Sequence, residues 1–115
     1  MKNKILRQGD VLLVPRATPK QIKKEEGPAI LAYGETTGHA HVAVNSTIFV
    51  DLNEEGKRYL KAEKNALLRH GDLNALLRDD IPYSPDHGPI PIAEGWYDVV
   101  TQWEYQRKEL VRVAD

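Results

Sequence analysis

Four histidines and no cysteine set the chemistry open to this 115-residue chain. Two of them stand as His39-Ala40-His41, directly behind Gly34-Glu35-Thr36-Thr37-Gly38. On a β-strand, side chains two apart lie on the same side of the pleat, so both imidazoles project from one face. A pair placed this way can chelate a single metal ion. His87 and then His70 are the residues expected to complete the shell. Without thiolates, such a site is built from nitrogen and oxygen, the donor set of zinc, iron, nickel or copper, with zinc expected first. Structural zinc sites favour cysteine, whereas three protein ligands plus water mark catalytic zinc. An open coordination position is therefore expected, where bound water would have its pKa lowered to about 7. That chemistry would serve metal-assisted hydrolysis or another conversion of a small-molecule ligand. Asp72, Asp86 and Glu35 lie close in sequence to histidines and could accept a second ring N–H. The competing assignment is structural: His70 and His87 as turn or surface residues, and the His39/His41 pair as exposed rings beside a hairpin. Residue types alone do not decide whether the chain is an enzyme.

The elements that must position these rings read as mainly β. Residues 10–14 form a short apolar run ended by Pro15, the pattern of a buried strand. Residues 29–33 form a second apolar strand, and the Gly34–Gly38 loop leads into a third over 39–44, so a hairpin is expected. In that third strand His39, His41 and Ala43 share one face; Ala40, Val42 and Val44 share the other. The apolar face is expected on the core, leaving the imidazoles toward a cavity or solvent. Alternation continues over 47–52, a turn follows at 53–56, and 58–62 return as a strand. Residues 95–105 carry the strongest strand pattern, with Tyr97, Val99, Thr101, Trp103 and Tyr105 on one face. Thr18 as cap, Pro19 in the first turn and Gly27 as stop predict a short exposed helix between them.

The middle of the chain holds a local duplication. Asn65-Ala66-Leu67-Leu68-Arg69 recurs as Asn74-Ala75-Leu76-Leu77-Arg78. The first copy could be strand or helix, since periodicity does not decide in so short a run, and the strand is preferred. The second is read as a two-turn helix capped by Asp72 and ended before Pro82. Together these elements predict a small single-domain antiparallel barrel or sandwich over 1–115, with one or two short helices.

Composition narrows the partners. The formal net charge is -1, from 16 basic and 17 acidic side chains, which removes the electrostatic argument for nucleic acid. No apolar run approaches the roughly 20 residues of a spanning helix, and residues 1–10 do not resemble a secretory signal. A cytoplasmic protein is expected, with no membrane association. A serine nucleophile and a phosphate loop are not favoured by the motifs around Ser46, Ser84 or Gly34–Gly38. A second class of function is a non-catalytic interaction module, binding a protein or a second copy of itself. It would act through a strand edge or the 65–81 segment, where Leu67, Leu68, Leu76 and Leu77 are more apolar than a surface loop requires.

Two resemblances follow from these residues. Gly34 followed by His39-Ala40-His41 resembles the first metal motif of the cupins, whose fold is a small β-barrel and whose members include metal-dependent enzymes and non-enzymatic binders. Here the gap is four residues, and Asn45 and Ser46 stand where that motif places a glutamate. The second cupin motif is not present around His87. The chain more broadly resembles an uncharacterised family of small bacterial and phage-type proteins. The shared segments are Gly9-Asp10-Val11, Thr37 to His41, His87-Gly88-Pro89-Ile90, and Gly95, Tyr97, Val99, Glu104 and Tyr105. That resemblance implies one domain and groups the histidines, and it implies no activity.

Overall fold

The computed structural model describes residues 3–33, 38–78 and 89–101. Eight strands and one helix follow in the order β1 Leu6–Gln8, β2 Val11–Arg16, β3 Ile22–Lys24, β4 Ala29–Tyr33, β5 His39–Asp51, β6 Arg58–Asp72, α1 Leu73–Arg78, β7 Ile90–Ile92 and β8 Gly95–Thr101. They form one mainly antiparallel sheet in the order β1-β2-β8-β6-β5-β3, with β4 added to β5 and β7 added to β6. The expectation of a mainly β domain holds, and the described strands pair as an open path. Neither closure into a barrel nor division into a sandwich is established by that pairing.

The long β5–β6 hairpin is the spine. Its register jumps between Val44↔Leu67 and Ser46↔Ala62, so Asn45 alone stands against residues 63–66. Asn45 and Asn65 both adopt positive φ, 55° and 64°. Asparagine tolerates this left-handed conformation better than other side chains. Asn45 Nδ2 also donates to the Asn65 carbonyl at 3.0 Å, fastening the corner. Bulges of this kind bend strands and sharpen their twist.

Two sets of long-range hydrogen bonds join the parts of the sheet on either side of that corner. Arg58, at the start of β6, donates to the carbonyls of Ile30 at 2.6 Å and Leu31 at 3.1 Å, beside a bulge in β4. Gln8, at the end of β1, reaches the Leu68 carbonyl in the far half of β6. Between them lies the main core, where Leu13, Ile48, Leu60, Leu68 and Tyr97 are fully buried. The Tyr97 hydroxyl carries its polar end to the Ala93 carbonyl at 2.5 Å.

The two copies of the duplicated segment divide as expected. Residues 65–69 continue β6, and 74–78 fall in α1. Leu68 is a core residue of the sheet, while Leu76 packs with Ala40 and Val42 on the opposite face of β5. The expected helix end before Pro82 lies outside the described residues, as do Trp103 and Tyr105. The strand over 10–14 runs through Pro15 to Arg16. β1 flanks β2 only as far as Leu13, so Pro15 sits where β2 has become an edge.

The expected helix over 18–27 does not form. Gln21 has a φ of 55°, and Ile22–Lys24 pair with Phe49–Asp51 as an edge strand. Leu52 N and Glu25 N donate to the Gln21 and Ile48 carbonyls on either side. Ile22 is the single large apolar residue of that segment, so a helix there had no face to bury, and short helices without packing are marginal.

Candidate functional site

The His-Ala-His pair opens β5, and the strand alternates as its pattern requires. The assignment of faces, however, places His41 differently from expectation. Ala43, on the histidine face, belongs to the main core, whereas Ala40 and Val42, on the other face, are covered by α1. Both faces of this end of β5 are thus occupied. His41 is 7% exposed, one of two buried polar residues among those described, the other being Gln8 at 8%. His39 is half-buried.

The antiparallel register decides which histidine joins the pair. His41 stands directly opposite His70, and His39 directly opposite Asp72. Directly opposed side chains share a face at Cβ separations of about 5 Å. The His41 and His70 rings stack with centroids 4.4 Å apart and planes 23° from parallel. His39 meets His70 edge-on at 5.7 Å. Three imidazoles and one carboxylate thus line one face of one end of the sheet. His70, expected after His87, is the direct partner of His41. His87 lies outside the described residues.

Gln8 and Gly9, which the sequence motifs do not single out for this site, cover His41. The Leu68 carbonyl can only accept, so the Gln8 amide nitrogen faces it, at 3.2 Å. Gln8 Oε1 then faces His41 Nδ1, at 2.9 Å. A carbonyl oxygen cannot donate, so Nδ1 carries a proton, and in the neutral ring the lone pair resides on Nε2. The next residue, Gly9, begins a two-residue turn from β1 to β2 with a φ of 58°. Glycine first in such a turn satisfies the left-handed backbone that tight hairpins need. It also permits close approach: a Cβ on Gly9 would lie 3.3 Å from His41 Cε1 and 3.5 Å from Nε2. The Gly-Asp pair between the apolar runs at 5–6 and 11–14 was the legible signal for this turn. Its contact with a strand more than thirty residues away was not.

The stacked rings do not converge on a common point. Among the described residues, no group of three histidine, aspartate or glutamate side chains stands in a metal-holding arrangement. The geometry contains the donors for a nitrogen-rich site and a buried ring with a defined proton. Of the other groups near histidines, Glu35 and Asp86 lie outside the described residues. Asp72 ends β6 immediately before α1, whose first amide, Leu73 N, donates to the Gly38 carbonyl at 2.6 Å.

The opposite end of the hairpin carries a second polar cluster. Asp51 Oδ1 accepts from the Asn53 and Glu54 amides, each at 2.8 Å, and Oδ2 accepts from the Tyr59 hydroxyl at 2.6 Å. The Tyr59 hydrogen bond, then the two amides, hold the Asp51 carboxyl below its ordinary pKa. Burial, then the Asp51 contact, pushes the Tyr59 hydroxyl up to about 12. A shallow groove of about 270 Å³ beside it is lined by Glu54 to Arg58 and Asp98 to Val100. Its charges are mixed, and only Glu54 to Gly56 in its lining are well exposed.

No described helix is long and apolar enough to cross a membrane. A family model, described as "Domain of unknown function (DUF8820)", matches residues 7–102, a span holding Gln8, Gly9 and all four histidines. No curated protein and no solved structure matches the chain.

Proposed function

We propose that this chain, which belongs to the family described as "Domain of unknown function (DUF8820)", binds a divalent transition metal through the imidazoles of His41, His70 and His39. The observation that carries this reading is the face-sharing of three histidines where His41 is buried and directly opposed by His70. Clusters of titratable side chains on one face are candidates for functional sites. Zinc is the first ion to test, because the donor set holds nitrogen and carboxylate oxygen and no sulfur. For their nitrogens to converge on one ion, the His41 and His70 rings would have to leave their stack. Asp72, opposite His39, is the carboxylate available to the same face, and His87 is a further histidine for the shell. Three protein ligands leave a coordination position for water or a small-molecule ligand, and metal-assisted hydrolysis is the reaction class that such a position serves. The cupin-like His-x-His pattern supports the same donor pair.

The alternative of an interaction module through residues 65–81 has less support. Leu68 and Leu76 are spent on the chain's own packing. The β3 edge carries the exposed Lys23 and Lys24, which blunt strand addition. A cytoplasmic site of action and a homodimer remain compatible with the metal-binding reading.

Elemental analysis after purification with metal supplied tests it, on wild type and on His41→Ala and His70→Ala. One ion per wild-type chain, lost in both variants while their circular dichroism stays β-like, is expected. Metal-free wild type, or full occupancy in both variants, would overturn the proposal.

A further inference from the structure

The strands at the margins of the sheet are protected in different ways. An edge that presents unpaired backbone groups invites another chain to pair with it, and charge or proline on the strand discourages this. β1 carries Arg7, β3 carries Lys23 and Lys24, and β7 carries Pro91. β2 carries Pro15 and Arg16 where β1 no longer flanks it. β4, Ala29-Ile30-Leu31-Ala32-Tyr33, carries neither charge nor proline. Such an uncharged run of aliphatic and aromatic residues has the composition of a segment prone to pair with copies of itself. Its strand neighbour among the described residues is β5, and Tyr33 at its end is 71% exposed.

We infer that β4 is protected from another strand: Arg58, at the start of β6, closes this edge to a second copy of the chain. The register with β5 jumps between Ile30 and Ala32, which leaves Leu31 without a partner in the ladder. The Arg58 guanidinium donates to the Leu31 carbonyl at 3.1 Å and to the Ile30 carbonyl at 2.6 Å. The Ile30 N–H is also spent within the chain, on the Pro28 carbonyl at 2.9 Å. Both backbone groups of Ile30 and the carbonyl of Leu31 are thus already bonded when an incoming strand would need them. Arg58 is itself held in place. Glu25, in the link between β3 and β4, accepts from the guanidinium at 3.1 Å. The rigid fork of an arginine can serve two carbonyls and a carboxylate together, whereas a lysine ammonium is a single point of charge. No histidine takes part in this arrangement, and it is independent of metal.

Arg58→Met keeps a long side chain and removes the donors. Light scattering over a concentration series should show this variant at double the wild-type mass or more, with growth of the intermolecular β band in the infrared. Asp51→Ala controls for lost stability, because Asp51 bonds to Asn53, Glu54 and Tyr59 and not to β4. It should keep the wild-type mass. Adding Tyr33→Lys to Arg58→Met places a charge on the exposed end of β4 and should return the mass toward wild type. Should Arg58→Met not fold, Arg58→Lys decides instead: it keeps the charge, loses the fork, and should associate to a lesser degree. A folded Arg58→Met at wild-type mass, equal association of Asp51→Ala, or no relief from Tyr33→Lys would overturn the inference. So would a wild-type mass for Arg58→Lys where that is the variant that folds.

Discussion

The two ends of the β5–β6 hairpin solve the same problem, the placing of titratable groups, in opposite ways. At the turn, Asp51 takes its partners from Asn53, Glu54 and Tyr59, at most eight residues away. Asn53 also donates through its side chain to Gln21. At the open end, His41 Nδ1 donates to Gln8 Oε1, thirty-three residues away, and that residue is itself anchored sixty residues away on Leu68. A local cluster on a solvated turn costs little and organises the chain that forms it. A buried imidazole costs free energy unless it is hydrogen-bonded, and here its partner comes from a separate hairpin. The first arrangement is what a turn needs. The second exceeds what a turn needs, which is why the candidate site is placed at the histidine end.

Substitutions should separate the ends cleanly. The largest effect is expected from His41→Ala, which removes the buried ring, strands Gln8 Oε1 and should abolish metal retention. Elemental analysis and urea unfolding report both consequences. Asp51→Ala should lower the urea midpoint and leave retention of metal intact. It should also remove an acid-dependent part of the stability. The Asp51 carboxyl is held below its ordinary pKa in the folded chain. Its contribution is therefore present above the ordinary carboxylate range and is lost as pH falls through the lowered value. Unfolding midpoints of wild type and variant should converge in acid.

A smaller effect is expected from Tyr59→Phe, about 1 kcal/mol from one hydrogen bond, again with metal retained. The Tyr59 hydroxyl is pushed up to about 12 by burial and Asp51. Its stabilising share is full below the ordinary tyrosine value and disappears as pH rises through about 12. Alkaline unfolding profiles of the two proteins should show that difference narrowing. An effect of similar size is expected from Gly56→Ala, about 1 kcal/mol of backbone strain, with no change at the histidines. A loss of metal from any turn-end variant would show that the two ends are coupled.

Local patterns in the sequence reached the hairpin and its faces but stopped at its partners. Alternation placed His39 and His41 together, and Asp72 and Pro82 bracket only the second copy of the duplicated segment as a helix, while periodicity left the first between strand and helix. The turn at 53–56 was marked by asparagine and glycine. The segment at 18–27 misled because its cap, proline and glycine stop are all local, whereas the pairing of Ile22 to Lys24 with Phe49 to Asp51 is not. His41 was expected to face a cavity or solvent, since nothing in residues 39–44 announces that α1 covers their apolar face. Its partner His70 was legible as a residue, yet the jump in register at Asn45 decides that the two stand opposite. That jump depends on two asparagines twenty residues apart.

The most direct measurement is a zinc titration of the metal-free protein followed by imidazole nitrogen resonances. The expected result is saturation at one ion per chain, with imidazole nitrogens of His41 and His70 shifting together while Tyr59 and Asp51 at the turn stay unchanged. Zinc added to excess with the His41 and His70 resonances unmoved would contradict the account.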